Sequence, residues 1–115
     1  MKIINQSRTT VLADRARVAD TFCARLIGLL NRSSLDTGEA LVIRGCKAIH
    51  MVGMRFAIDA VFVDNANRVV ALLPHFKPFR ISPFFTRAQY VVELPAGTID
   101  ATHTAVGDTV AITSQ

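Results

Sequence analysis

Residues 45–64, GCKAIHMVGMRFAIDAVFVD, contain the strand that decides how this protein is layered. The segment 57–64 has alternating side chains that are apolar on both sides: Ile58, Ala60 and Phe62 face one way, and Asp59, Val61 and Val63 face the other. A strand that is apolar on both faces is typical of the middle of a sheet that is covered on both sides. We therefore expect a central strand that carries a carboxylate, Asp59, into the protein interior.

A carboxylate inside a protein needs a partner, because an isolated buried charge is unfavourable. The sequence offers Arg44, Arg55 and His50 as cationic or imidazole partners, and backbone amides are a further possibility. A structural role is one interpretation. The other is a pocket in which His50 and Asp59 form an acid–base or ligand-binding pair. Glu93 ends another apolar strand and is a second candidate for a buried carboxylate.

The alternation of period two recurs along most of the chain and predicts a mainly β protein. Asn65 or Asn67 can take the left-handed conformation of a hairpin turn at DNAN, residues 64–67. Besides 57–64, the predicted strands are 2–4, 9–12, 40–45, 68–73, 89–94 and 109–113. The turns LPAG (94–97) and VGD (106–108) separate the last of them.

One segment has helical periodicity instead. Phe22, Leu26, Leu29 and Leu30 recur at helical spacing, which predicts a helix over about 20–32. One early helix and five or more strands predict a small two-sheet β-sandwich, or a jelly-roll-like barrel. The whole chain, 1–115, is expected to be a single domain.

The composition is that of a folded domain, with half of the 115 residues hydrophobic and 19% charged. The formal net charge is +4, and ten of the 13 basic residues are arginines, which suit carboxylate or phosphate contacts. Because no basic run or nucleic-acid motif accompanies this charge, a nucleic-acid role is not expected. The chain shows no signal-peptide core and no apolar run near the ~20 residues of a membrane span. We expect a cytoplasmic protein, or an exported one if a signal segment had been removed.

Cys46 and His50 lie four positions apart, a spacing compatible with one face of a helix or a strand. A protein metal site uses three or four ligands, and His75 and His103 lie in other loops without partners at metal-site spacing. We therefore predict no metal and no cofactor. Cys23 and Cys46 are interpreted as free thiols.

The segment 74–87 has an unusual composition. PHFKPFRISPFF, residues 74–85, contains four of the seven phenylalanines and three of the four prolines, with Lys77, Arg80 and Arg87 inside or next to it. Because proline cannot donate to a β-ladder, we expect a long ordered loop. Its phenylalanines either pin it to the barrel or sandwich, or the loop forms the rim or lid of a pocket. Aromatic rings between cations could also stack on bases or sugars, or contact a membrane surface.

Several motifs occur together in a recognisable order. RLIGLL is followed by C-x-x-I-H-M-x-x-M-R-F-x-I-D-x-V-F-x-D, then RVV, YVVELPAG and GDTV. From about Arg25 to Val110, this order resembles the bacterial and archaeal family called domain of unknown function 192. The resemblance implies a small β-sandwich of roughly jelly-roll type with an early helix, and it implies no reaction.

The family's recurring positions are, in this sequence, Arg25, Gly28, His50, Met54, Asp59, Phe62, Glu93, Leu94, Pro95, Gly97, Gly107 and Asp108. The chain departs from the pattern at two places. Leu30 stands where methionine is common, and Asn67 stands where glycine usually closes the hairpin. Both changes are conservative and compatible with the implied fold.

Three functional hypotheses follow. The first is a non-catalytic domain that binds a small polar or anionic ligand through His50, Met54, Arg55, Asp59 and Glu93, with Lys77, Arg80 and Arg87 at the rim. The second is a hydrolase or isomerase that uses His50 and Asp59 as an acid–base pair. The third is an accessory protein that binds a protein partner through an edge strand or the Phe-rich loop 74–87.

Overall fold

The computed structural model describes residues 1–19, 34–51 and 53–114, and the predicted helix over 20–32 lies outside these residues. The described elements, in chain order, are β1 (Lys2–Asn5), β2 (Thr10–Ala13), β3 (Arg15–Ala19), β4 (Glu39–Arg44), β5 (Ile58–Val63), β6 (Val69–Phe76), β7 (Tyr90–Pro95), α1 (Thr98–Thr102) and β8 (Val110–Thr113).

The strands form two sheets. The smaller sheet has the order β2-β1-β8, and the larger has the order β3-β4-β7-β5-β6. β3 pairs with β4 in parallel, and the other pairings between these strands are antiparallel. The prediction of a mostly β, two-sheet sandwich is confirmed.

The larger sheet is buried on both faces. Between the two sheets, Ile3 and Val110 of the smaller sheet belong to one apolar cluster with Val61 and Val92 of the larger. On the opposite face, Phe62 belongs to a second cluster. This cluster also contains residues of the irregular segments that cover the sheet, among them Leu35, Ile49, Met51, Met54 and Ala88. All six residues of β5 are buried, and β5 lies between β7 and β6, so the predicted central strand is confirmed.

The prediction that a loop begins at Pro74 is wrong, because β6 continues through Pro74 to Phe76. Proline is tolerated here because β6 is the edge strand of its sheet, where a missing N–H breaks no second ladder. The pairing of β5 with β6 is irregular between Ile58 and Ala60, where β6 contributes one extra residue. His75 lies in this bulge with a positive φ of 49°.

Two elements were not predicted from the sequence. β3 (RARVA) has only small or charged residues and one valine, so its alternation is weak. Thr98–Thr102 is a short helix, α1, in a region predicted to contain only turns. Gly97, immediately before this helix, has a φ of 98° that favours glycine.

The predicted hairpin between β5 and β6 is present. Asp64 organises its turn, because its side-chain Oδ1 accepts hydrogen bonds from the backbone N–H groups of Ala66 and Arg68, both at 2.9 Å. Asn67 takes the left-handed conformation with a φ of 63°. Its Oδ1 accepts a hydrogen bond from the hydroxyl of Tyr90 at 3.0 Å. Burial raises the pKa of Tyr90 to about 12, and the negative charge of Asp64 adds to the effect.

Tyr90 is the only tyrosine of the chain, and there is no tryptophan, so phenolate absorbance reports on this residue alone. We expect Tyr90 to titrate with a midpoint of about 12 in the folded protein. In the urea-unfolded chain it should titrate at about 10. Because the folded pKa is the higher one, ionisation of Tyr90 lowers stability as the pH rises through this interval. Ultraviolet titration with parallel circular dichroism measures both changes. A titration midpoint of about 10 for Tyr90, measured while the circular dichroism is still native, would contradict the buried environment of this side chain.

Candidate functional site

Asp59 is fully buried and is hydrogen-bonded to backbone amides. Its Oδ1 accepts the N–H of His75 at 2.8 Å, and its Oδ2 accepts the N–H of Ile99 at 2.7 Å. His75 lies in the bulge of β6, and Ile99 lies in the first turn of α1. The carboxylate therefore connects the central strand β5 to the bulge in the edge strand β6 and to the first turn of α1. The hydrogen-bond partners of Asp59 are therefore backbone amides, and not Arg44, Arg55 or His50, which the sequence also offered.

Asp59 and Glu93 lie on opposite faces of the larger sheet. Asp59 is paired with Leu94, which belongs to the cluster between the sheets. Glu93 is paired with Ala60 and with Leu41, which belong to the cluster on the other face. Both carboxylates are fully buried. The expectation that they line one pocket is therefore wrong, because adjacent positions along a strand point to opposite sides.

His50 lies in the segment that covers the Glu93 face. It forms an isolated antiparallel bridge with Ile81, and its neighbours Ile49 and Met51 pack in the cluster of that face. Met54 is buried in the same cluster. The structure therefore does not bring His50 to Asp59, and the predicted acid–base pair is not formed. It leaves His50, Met54 and Glu93 on one side of the sheet.

The remaining predicted site residues are at the surface. Arg55, Lys77, Arg80 and Arg87 are all exposed. Two of the four phenylalanines in segment 74–85, Phe76 and Phe85, pack against the core. The ring centroid of Phe85 lies 4.6 Å from that of Phe62. The other two, Phe79 and Phe84, are exposed.

A buried polar network at the end of the smaller sheet was missed by sequence reasoning. Oδ2 of Asp108 accepts hydrogen bonds from Asn5 Nδ2 (3.0 Å), Arg8 Nε (3.1 Å) and the N–H of Ala105 (2.9 Å). Asn5 also donates to Thr104 Oγ1 at 3.1 Å. Asp108 belongs to the family pattern, but nothing in the sequence indicates that Asn5, 103 positions away, is its partner.

The network controls the protonation of Asp108. Burial by itself would raise the pKa of this carboxyl group, but the hydrogen bonds from Asn5, Ala105 and Arg8, together with the positive charge of Arg8, outweigh it. The pKa of Asp108 is therefore held below its ordinary value.

A groove with two guanidinium groups lies beside the Phe-rich segment. This arginine groove has a volume of about 370 Å³ and is lined by Arg68, Val69, Val70, Phe84, Phe85, Thr86, Arg87, Val106 and Gly107. At the groove, two backbone hydrogen bonds of 2.8 Å join β6 to the turn before β8, from Gly107 N–H to Val69 O and from Val69 N–H to Asp108 O. Of the predicted rim residues, Arg87 lines this groove.

The described ranges 1–19, 34–51 and 53–114 contain neither a metal-binding cluster nor a membrane-spanning helix. No three His, Cys, Asp or Glu side chains there are grouped so that they could hold a metal ion. Cys46 is half-buried, and its Sγ donates to the carbonyl of Ala48 at 3.0 Å. No helix in these ranges is long and apolar enough to cross a membrane.

The described geometry can be compared with known proteins. Residues 3–112 match the family DUF192, described as an uncharacterised ACR. This chain belongs to the DUF192 family. The UPF0127 protein of Pyrococcus furiosus is 34% identical over 109 residues, covering 92% of this chain and 93% of that protein. The UPF0127 protein of Thermococcus sibiricus is 31% identical over 110 residues, covering 92% of this chain and 71% of that protein.

Two solved structures share the fold of this DUF192 chain. A protein of unknown function from Novosphingobium aromaticivorans has a TM-score of 0.80 at 20% identity, covering 96% of this chain and 82% of its own. A protein from Sinorhizobium meliloti, described as a proposed transcription regulator, has a TM-score of 0.77 at 20% identity, covering 96% and 89%. At this level of identity the similarity concerns the fold alone.

Replacing Asp59 tests the role of the buried carboxylate. In Asp59→Ala, the N–H groups of His75 and Ile99 lose their acceptors, so we expect a loss of about 2–4 kcal/mol in the free energy of unfolding. Asp100→Ala, at an exposed position of α1, is the control and should change stability by less than about 0.5 kcal/mol. Urea unfolding measures both, and hydrogen exchange at Ile99 should accelerate in the Asp59 variant. Equal stability of the two variants would contradict the role assigned to Asp59.

Replacing Asp108 tests the polar network through its pH dependence. Because the folded pKa is depressed, the stabilisation is present at neutral pH and is lost as the pH falls below about 4. Asp108→Asn should be about 1–3 kcal/mol less stable than the wild type at neutral pH. This difference should shrink as the medium becomes acidic, and urea unfolding at several pH values measures it. Asp14→Asn, at an exposed position, is the control. A difference that stays constant with pH would argue against the depressed pKa.

Proposed function

We propose that this protein is a non-catalytic domain that binds a small anionic ligand in the arginine groove. The observation that carries the proposal is the placement of Arg68 and Arg87 in one groove with the exposed ring of Phe84. A volume of about 370 Å³ is within the range of small-molecule sites. Guanidinium groups favour carboxylate and phosphate ligands, and an aromatic ring adds an apolar or stacking contact.

The charge around the groove supports an anionic ligand. Among the described residues, neither Arg68 nor Arg87 has a carboxylate within salt-bridge distance, whereas Arg8 is paired with Asp108 and Arg15 lies beside Asp14. No Asp or Glu is among the described residues that line the groove. Both guanidinium groups are therefore available to a ligand.

A second groove, of about 400 Å³, is a weaker candidate. It is lined by Val42, Arg44, Gly45, Asp64, Asn65, Asn67, Gln89, Tyr90 and Ile112. Arg44 is accompanied there by the carboxylate of Asp64, so the charge is mixed. The arginine groove has the clearer preference for an anion.

A non-catalytic role is supported by the environment of Asp59. Its two oxygens accept backbone hydrogen bonds on the face between the sheets. His50 lies in the layer over the other face. An enzyme would need a base and an acid within reach of one substrate, and the pair predicted for that purpose is separated by the larger sheet.

Binding of phenyl phosphate tests the proposal, because this probe combines an anionic group with a ring. We expect nuclear magnetic resonance shifts at groove residues, stronger with phenyl phosphate than with phenol. Arg68→Ala/Arg87→Ala should weaken binding at least about tenfold, because both charge-assisted contacts are removed. Arg17→Ala/Arg55→Ala removes two exposed arginines outside the groove and is the matched control. Equal effects of the two double variants, or no shifts at groove residues, would refute the proposal.

A further inference from the structure

The segment Lys77–Ile81, called here the tip, combines exposed apolar and basic side chains outside the arginine groove. Phe79 and Ile81 are both 72% exposed, more than any other large hydrophobic side chain among the described residues. They flank Arg80 in sequence, and Lys77 begins the segment; both cations are exposed. Two large apolar side chains exposed at one turn form a candidate interaction surface.

The backbone of the tip is held in place. The N–H of Phe79 donates to the carbonyl of Met51 at 2.9 Å, and the N–H of Met51 donates to the carbonyl of Arg80 at 2.8 Å. Met51 itself is fully buried in the core. A hydrogen bond between Arg80 N–H and Lys77 O at 3.4 Å closes the turn. The two apolar side chains are thus presented from a supported turn, which lowers the entropy lost on binding.

The charge of the surrounding chain selects an anionic partner. The stretches 40–58 and 65–92 together carry seven basic residues and no Asp or Glu: Arg44, Lys47, Arg55, Arg68, Lys77, Arg80 and Arg87. The first stretch lies against the tip through the bridge between His50 and Ile81. Two acidic residues, Asp59 and Asp64, lie between the stretches. Asp59 is fully buried, as is the following Glu93, whereas the half-buried Asp64 lies beside Arg44 at the β5–β6 turn and offsets one of the seven charges.

We propose that the tip docks on the surface of an anionic lipid bilayer, with Phe79 and Ile81 entering the boundary between headgroups and acyl chains. Single apolar side chains surrounded by cations suit this boundary, where anionic headgroups attract the cations. The equal exposure of Ile81 favours hydrocarbon over nucleic-acid bases, because isoleucine has no ring on which a base can stack. The groove beside the tip, lined by His75, Phe76, Lys77 and Arg80, is only about 190 Å³, so it offers little to a peptide.

Vesicle co-sedimentation of the full chain tests the proposal. The vesicles contain phosphatidylcholine alone or with about one quarter of phosphatidylglycerol. We expect binding to the anionic vesicles at low salt and much less to the neutral ones. Phe79→Ala/Ile81→Ala should reduce binding at least about tenfold, because the inserted apolar area is lost. Val11→Ala/Ile112→Ala removes two exposed apolar side chains of the smaller sheet and is the matched control.

A fluorescent variant reports insertion directly, because the chain has no tryptophan. Phe79→Trp should show a blue shift of emission with anionic vesicles, and Val11→Trp should show none. Absence of vesicle binding, binding unchanged in Phe79→Ala/Ile81→Ala, or equal spectral behaviour of the two tryptophan variants would each overturn the proposal. Arg68 and Arg87 are intact in all these variants, so failure here is independent of phenyl phosphate binding in the arginine groove.

Discussion

The buried carboxylate of Asp59 is the constraint around which the larger sheet is arranged. A carboxylate in the middle of a sheet is tolerated only if donors reach it, and both donors here are backbone amides from outside regular strand pairing. One comes from the bulge that places His75 at a positive φ, and the other from the start of α1 after Gly97. The irregular parts of the fold are therefore tied to the most regular strand, and Asp59 joins them.

With this arrangement, the candidate binding sites lie at the surface of the molecule and not in its interior. The larger sheet is covered on both faces by apolar clusters, and it separates Asp59 from Glu93 and from the layer that carries His50. What remains accessible lies at the periphery, in the arginine groove and at the tip. Asp59 is one position of the DUF192 family pattern, and its hydrogen bonds to backbone amides give it a role in folding. The guanidinium groups that support our proposals come from the hairpin and the Phe-rich segment instead.

Sequence reasoning succeeded where a residue's environment depends on its immediate neighbours. Alternation over Ile58–Val63 correctly predicted a central strand with Asp59 on one side. The preference of asparagine for left-handed backbone predicted that Asn65 or Asn67 takes this conformation in the hairpin turn, and Asn67 does. It failed where the decisive neighbour is remote or the local signal is weak. β3 has too few apolar residues to show its period, and Pro74 suggested a loop because its place on an edge strand depends on sheet order.

The sequence by itself determined the β class of the domain, its central strand, its hairpin and the family to which it belongs, because these depend on local periodicity, turn preference and motif order. Only the tertiary structure decided which groups meet. Pairing Asp59 with Leu94 placed Glu93 on the opposite face, and folding brought Asn5 to Asp108 and Arg68 to Arg87. Such meetings follow from strand register and sheet order, in which a shift of one residue exchanges the two faces of a strand.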